Sequence, residues 1–159
     1  MQLDWNLIFW IHFILLLVHQ FEEYIYPGGF RSFFNRHIYE KSPFTKRKLT
    51  RTGAVIINIF IAWPAYIISA IYGTELLWLA LGLCFVTLTN GLLHTILFLK
   101  LRKYNPGFVS GLLLFIPFGA YVLIQLFRTT ELDILYATII LIVAVIAVPS
   151  LIFITSEKN

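Results

Sequence analysis

The sequence predicts an all-α, polytopic membrane protein: a compact bundle of five transmembrane helices in a single domain over residues 1–159. Three observations lead there. Of the 159 residues, 59% are hydrophobic and 13% charged, with a mean hydropathy of +0.83, whereas a soluble domain is about one quarter charged. Five segments approach the roughly 20 apolar residues needed to cross a bilayer. The basic residues gather in alternate joints between those segments, the pattern of a positive-inside topology.

The expected helices cover residues 4–26, 52–72, 76–99, 108–127 and 132–155. Residues 1–6 carry Asp4 and no Lys or Arg, the wrong charge for a signal-peptide n-region, so the first helix is expected to stay as a span. Pro27-Gly28-Gly29 ends it, Gly73 follows the second, and Asn105-Pro106-Gly107 precedes the fourth; such runs mark joints. Pro64, Pro117 and Pro149 lie inside helices and predict kinks of the kind membrane bundles tolerate. Cys84 is the single cysteine, which excludes an intramolecular disulfide and reads as packing. Trp5, Trp10, Trp63 and Trp78 mostly suit an outer-interface aromatic belt.

Arg31, Arg36, Lys41, Lys46, Arg47, Lys48 and Arg51 lie between helices one and two, Lys100, Arg102 and Lys103 between three and four, and Lys158 after five. Arg128 falls on the opposite side, with Asp4, Glu75, Glu131 and Asp133. This predicts an outside N-terminus and a cytoplasmic C-terminus, in a multi-pass protein of a bacterial inner or plasma membrane. The pI of about 9.3 then reflects topology and not nucleic-acid binding. The basic loop suits anionic lipid headgroups.

The run His19-Gln20-Phe21-Glu22-Glu23 puts three ionisable side chains inside the first apolar stretch, where charge is costly and usually functional. At about 100° per residue, His12, His19 and Glu23 fall within about 40° of one another, with Glu22 beside them. Helix three supplies Thr87, Asn90 and His94, helix two Asn58, helix four Ser110. With the orientation set by Lys and Arg alone, these groups meet in the cytoplasmic-side third of the membrane. Asn58 and Ser110 also read as interhelical hydrogen bonding, and His37 as a solvated loop residue.

Two histidines with one or two glutamates can hold zinc or iron, and catalytic zinc typically uses three protein ligands and an open position. The expected ligands are His19, Glu23 and His94. Glu22 and Glu23 are expected to act as catalytic carboxylates, with Glu22 a ligand or general base, and Asn90 to orient a ligand. Without metal, a His–Glu pair still makes an acid/base couple. The chain has no HExxH, GxSxG, P-loop or GxGxxG. Its four histidines are too few for the arrays of membrane di-iron hydroxylases, Arg31 comes too late for a CAAX-protease pattern, and no transporter repeat is evident.

His19-Gln20-Phe21-Glu22-Glu23-Tyr24 with Pro27 and Phe30, then Asn90-Gly91-Leu92-Leu93-His94, then Tyr104-Asn105-Pro106-Gly107 and Pro117, resembles the HXXEE family of small integral membrane proteins. The resemblance covers most of the chain. It implies a membrane enzyme with His19, Glu22, Glu23, Asn90 and His94 as its polar motif residues, and it supplies neither substrate nor reaction.

The expected function is a metal-dependent enzyme acting on a membrane lipid or lipid-linked substrate by hydrolysis or a related transfer. Two alternatives stay open. One is a metal-free, isomerase-like acid/base enzyme. The other is a non-enzymatic lipid- or cofactor-binding protein, with haem ligated by His12, His19 or His94.

Overall fold

The first apolar stretch forms α1, Trp5–Tyr24, and Asp4 caps it by accepting the Leu7 N–H. The chain is represented by a computed structural model that describes residues 4–39, 47–129, 133–154 and 156–158. Lys41, Lys46, Glu131 and the expected fifth-helix limits 132 and 155 lie outside the described residues. Beyond α1, Gly28 and Gly29 take φ of 66° and 90°, a conformation natural to glycine, and turn the chain into α2, Phe30–Phe34. A π-helical stretch, Asn35–Tyr39, continues it.

The second rod joins α3, Arg51–Val55, through a π-helical stretch, Ile56–Ala62, to α4, Trp63–Tyr72. A 3-10 turn, Gly73–Leu76, leads to α5, Leu77–Leu101. The fourth rod runs from α6, Phe108–Ser110, through π-helical Gly111–Phe115 into α7, Ile116–Thr129. The fifth is α8, Ile134–Ile154. The kinks expected at Pro64 and Pro117 appear as these π stretches in the preceding turn. Proline has no N–H to donate and crowds the carbonyl four residues back. The ladder widens to i→i−5 bonds there: Trp63 N–H reaches Asn58 O, and Ile116 N–H reaches Gly111 O.

The chain is mostly helical, as expected, and a short two-stranded ribbon is added to the helices. β1, Arg47–Leu49, pairs antiparallel with β2, Ser156–Lys158, setting Arg47 opposite Lys158. The ribbon fixes Arg47 and Lys48, from the expected basic loop, at the same end of the bundle as Lys158.

Three helical stretches among the described residues are long and apolar enough to cross a membrane: Trp5–Tyr24, Arg51–Leu101 and Phe108–Arg128. The second contains two of the five expected helices, and the fifth contributes a shorter apolar run, Ile134–Ala147. Relative directions follow from contacts. His12 meets Thr87, His19 meets Asn90 and Glu23 meets His94, so α1 and α5 run parallel. Gln20 meets Asn58 while Asn6 caps α4 at Ala70 and Ile71, so the second rod runs antiparallel to α1.

The core holds Phe9, Leu81, Cys84, Val122 and Leu126, with Phe115 and Tyr66 in a second cluster. Cys84 is therefore packing. His12, His19, Glu23 and His94 are buried too, while Phe60, Ile134, Leu135 and many other large apolar side chains face outward.

Glycines set the closest approach between α5 and the fourth rod. A Cβ on Gly91 would lie 2.8 Å from the Gly111 carbonyl oxygen and 3.2 Å from Phe115 Cβ. Gly91→Ala is expected to destabilise the bundle by about 2 kcal/mol through overpacking, read as a lowered Tm in detergent. At Gly82 the nearest atom would be Ile140 Cγ2 at 3.5 Å, so Gly82→Ala should leave Tm unchanged or raise it.

Candidate metal centre

Glu22 and Glu23 are successive residues on α1, so their side chains diverge by about 100°. Glu23 points at α5, where His94 Nε2 lies 3.1 Å from its Oε1. One turn earlier on the same helix face, His19 Nε2 lies 3.4 Å from the same oxygen. His19, Glu23 and His94 are buried, and their potential ligand atoms all lie within 4.8 Å of one another. Among the described residues they are the one such trio of His, Cys, Asp or Glu.

The surrounding hydrogen bonds fix which imidazole nitrogen carries hydrogen. Asn105 donates its Nδ2–H to the His94 carbonyl at 3.1 Å. Its Oδ1 therefore faces His94 Nδ1 at 2.6 Å and must accept a hydrogen from it. Ser110 donates Oγ–H to Glu22 Oε2, so its oxygen accepts from His19 Nδ1 at 2.8 Å. With both Nδ1 atoms engaged outward, the Nε2 of each ring faces the Glu23 carboxylate; Glu23 can only accept, so His94 Nε2 donates to it and would give up that hydrogen to take an ion. Two imidazole nitrogens and one carboxylate oxygen thus converge in a buried space. Asn90 aims its Nδ2–H at His19 Nε2 at 3.0 Å.

Glu22 turns the other way, to the start of the fourth rod. Its Oε1 accepts from Tyr104 OH at 2.7 Å and Val109 N–H at 3.0 Å. Its Oε2 accepts from Ser110 N–H at 2.7 Å and from the Ser110 hydroxyl. Carboxylates suit helix starts. Burial, then the Glu22 hydrogen bond and its charge, push the Tyr104 hydroxyl above its usual range. Glu22 is thus joined to the trio through Ser110 and His19.

Gly107 forms the roof, with φ of 96°. A Cβ there would lie 2.6 Å from His94 Cε1 and 3.0 Å from both Glu23 Cγ and His19 Cε1. Phe115 stacks on His19 at 4.3 Å, and Phe30 packs against His94 at 5.2 Å between ring centroids.

Several residues expected nearby lie elsewhere. His12 and Thr87 form a separate buried triad with Tyr66, both bonds 2.7 Å. Asn58 joins Gln20, and Trp63 donates its indole N–H to Gln20 Oε1 at 2.7 Å, which takes Trp63 out of any belt role. His37 stacks on Phe33 and meets its carbonyl. Sequence reasoning assigned no role to Asn105 or Tyr104. Their place in the Tyr104-Asn105-Pro106-Gly107 run was the available signal.

A family model described as a protein of unknown function with HXXEE motif matches residues 10–122. That span includes every residue of the centre. No curated protein and no solved structure matches the chain.

Proposed function

The chain belongs to the HXXEE family, and we propose that it is a membrane-embedded, metal-dependent enzyme acting on a lipid or lipid-linked substrate by hydrolysis or a related transfer. The observation that carries this reading is the convergence of His19 Nε2, His94 Nε2 and Glu23 Oε1, with Nδ1 of each imidazole engaged by a fixed acceptor so that Nε2 is the nitrogen left for an ion. Metal-ligating histidines characteristically give their other ring nitrogen to a fixed acceptor, and Asn105 and Ser110 supply those acceptors. Two nitrogens and one carboxylate oxygen fit zinc or ferrous iron and leave positions open. A bound ion would polarise a carbonyl or phosphoryl oxygen as a Lewis acid. Asn90 donates to His19 Nε2, a bond that an ion at that nitrogen would displace, leaving the amide free beside the centre. Glu22, through the Ser110 hydroxyl, holds the proton on His19 Nδ1. Haem fits less well, because the two histidines point at one small space instead of flanking a macrocycle.

Exposed apolar side chains around a polar interior support membrane insertion, as do the candidate spans. Arg31, Arg36, Arg51, Lys100, Arg102 and Lys103 fall in the joints expected at the cytoplasmic side, which favours an outside N-terminus. A groove of about 410 Å³ lined by Val18, Phe21, Tyr104 and Leu113 reaches Glu22 and Ser110. It offers an acyl chain a route toward the centre from the lipid side.

Elemental analysis of protein purified without chelators or a His tag tests the proposal: about one zinc or iron per chain is expected, and none would reject it. Asn105→Ala should weaken metal affinity about 10- to 100-fold, measured by competition with a chromogenic chelator. The metal-free reading rests on the continuous Glu22–Ser110–His19 relay, and activity unaffected by chelators would favour it.

A further inference from the structure

A cleft of about 770 Å³ lies between α1 and the second rod, and Phe30, which also packs against His94, lines it. Leu17, Phe21, Ile25, Val55 and Ile59 make its wall apolar. A polar ledge crosses it, and that ledge satisfies itself. Gln20 donates to Asn58 Oδ1 at 2.8 Å, Trp63 donates to Gln20 Oε1, and Asn58 donates to Ala54 O and to Tyr24 OH. The Tyr24 hydroxyl accepts in that network and keeps its own hydrogen to give. Arg31 and Arg51 line the cleft, both exposed. Among the described residues neither makes an ion pair, and no carboxylate lines the cleft.

We propose that this cleft binds an anionic phospholipid, with an acyl chain along the apolar wall and the phosphate against Arg31 and Arg51. Two guanidiniums at one apolar cleft, neither in an ion pair among the described residues, are complementary to one anionic headgroup, and guanidinium pairs with phosphate in a two-pronged geometry. The volume lies in the range of small-molecule sites and far exceeds what a bare phosphate ion fills. The Tyr24 hydroxyl is placed to donate to a headgroup or glycerol oxygen. The proposal rests on the membrane-embedded part of the reading above and is independent of the metal.

The test is native mass spectrometry of the full chain in detergent, titrated with phosphatidylglycerol and, separately, phosphatidylcholine. Phosphatidylglycerol is expected to bind more tightly, and Arg31→Gln/Arg51→Gln to lower its affinity about 30-fold, toward that of phosphatidylcholine. Val55→Trp, which fills the cleft, should weaken both lipids. Equal affinities in the wild type would overturn the proposal. So would unchanged phosphatidylglycerol binding in the arginine variant, or displacement by millimolar inorganic phosphate. Extraction of the protein from cells without detergent would instead refute the membrane reading, and metal content should be the same in all these variants.

Discussion

His94→Ala is expected to take the metal content of the purified protein from about one ion per chain to background, and to abolish turnover with it. His19→Ala should do the same. Both side chains are 1% exposed, and among the described residues no further His, Cys, Asp or Glu joins the trio to replace a lost ligand. Glu23→Gln is the informative companion, since it keeps the shape of the side chain and removes its charge. Its metal affinity should fall as well, because Glu23 brings the only carboxylate of the trio. Inductively coupled plasma mass spectrometry on the three variants, with circular dichroism for folding, decides the matter. Stoichiometric metal retained in both histidine variants would exclude the centre.

Gly107→Ala is expected to be more damaging than its single methyl implies. The backbone there holds φ of 96°, which costs a residue with a Cβ about 1 to 3 kcal/mol. The new Cβ would also lie 2.6 Å from His94 Cε1 and 3.0 Å from His19 Cε1, adding overpacking of similar size. The combined loss of about 3 kcal/mol or more should appear as a lowered Tm together with lost metal. Gly29→Ala separates the two causes. Its φ is 90° but its Cβ would meet nothing within 4 Å, so it should lose about 1 kcal/mol and keep its metal. Equal Tm losses in both variants would mean that Gly107 matters only for its backbone.

The trio was legible because ionisable residues inside apolar runs are rare and stand out by type alone. His19, Glu23 and His94 needed only helical periodicity and a relative helix direction to be brought together. Glu22 was harder. Helix geometry separates it from Glu23, but nothing in the sequence shows that the start of the fourth rod lies on that side. Ser110, with its ordinary hydroxyl, could be told from helix glue only by seeing that it touches both His19 and Glu22. The β1–β2 ribbon was invisible because Arg-Lys-Leu and Ser-Glu-Lys have no alternating apolar pattern, and their pairing joins residues about a hundred positions apart. Disturbances were foreseen at Pro64 and Pro117, where π stretches precede the proline, but not at Asn35–Tyr39, which has no proline, while α8 runs through Pro149 as α-helix; proline chemistry suggests where a helix is disturbed but not how it relaxes.

The last turn of α1 carries a consequence for assembly. Glu23 reaches a partner 71 residues along the chain, and Glu22 reaches partners 82 to 88 residues along. Neither half of the centre exists within one contiguous segment. The first helix to be synthesised must wait for α5 and the fourth rod before its buried carboxylates find their partners. An ion held by the trio would act as a late cross-link, adding stability by mass action in proportion to its binding. Under the proposed function, metal uptake by newly made chains would then double as a clock for helix docking. Hydrogen exchange at the end of α1 and at the start of α6 should slow together, at the moment the ion enters.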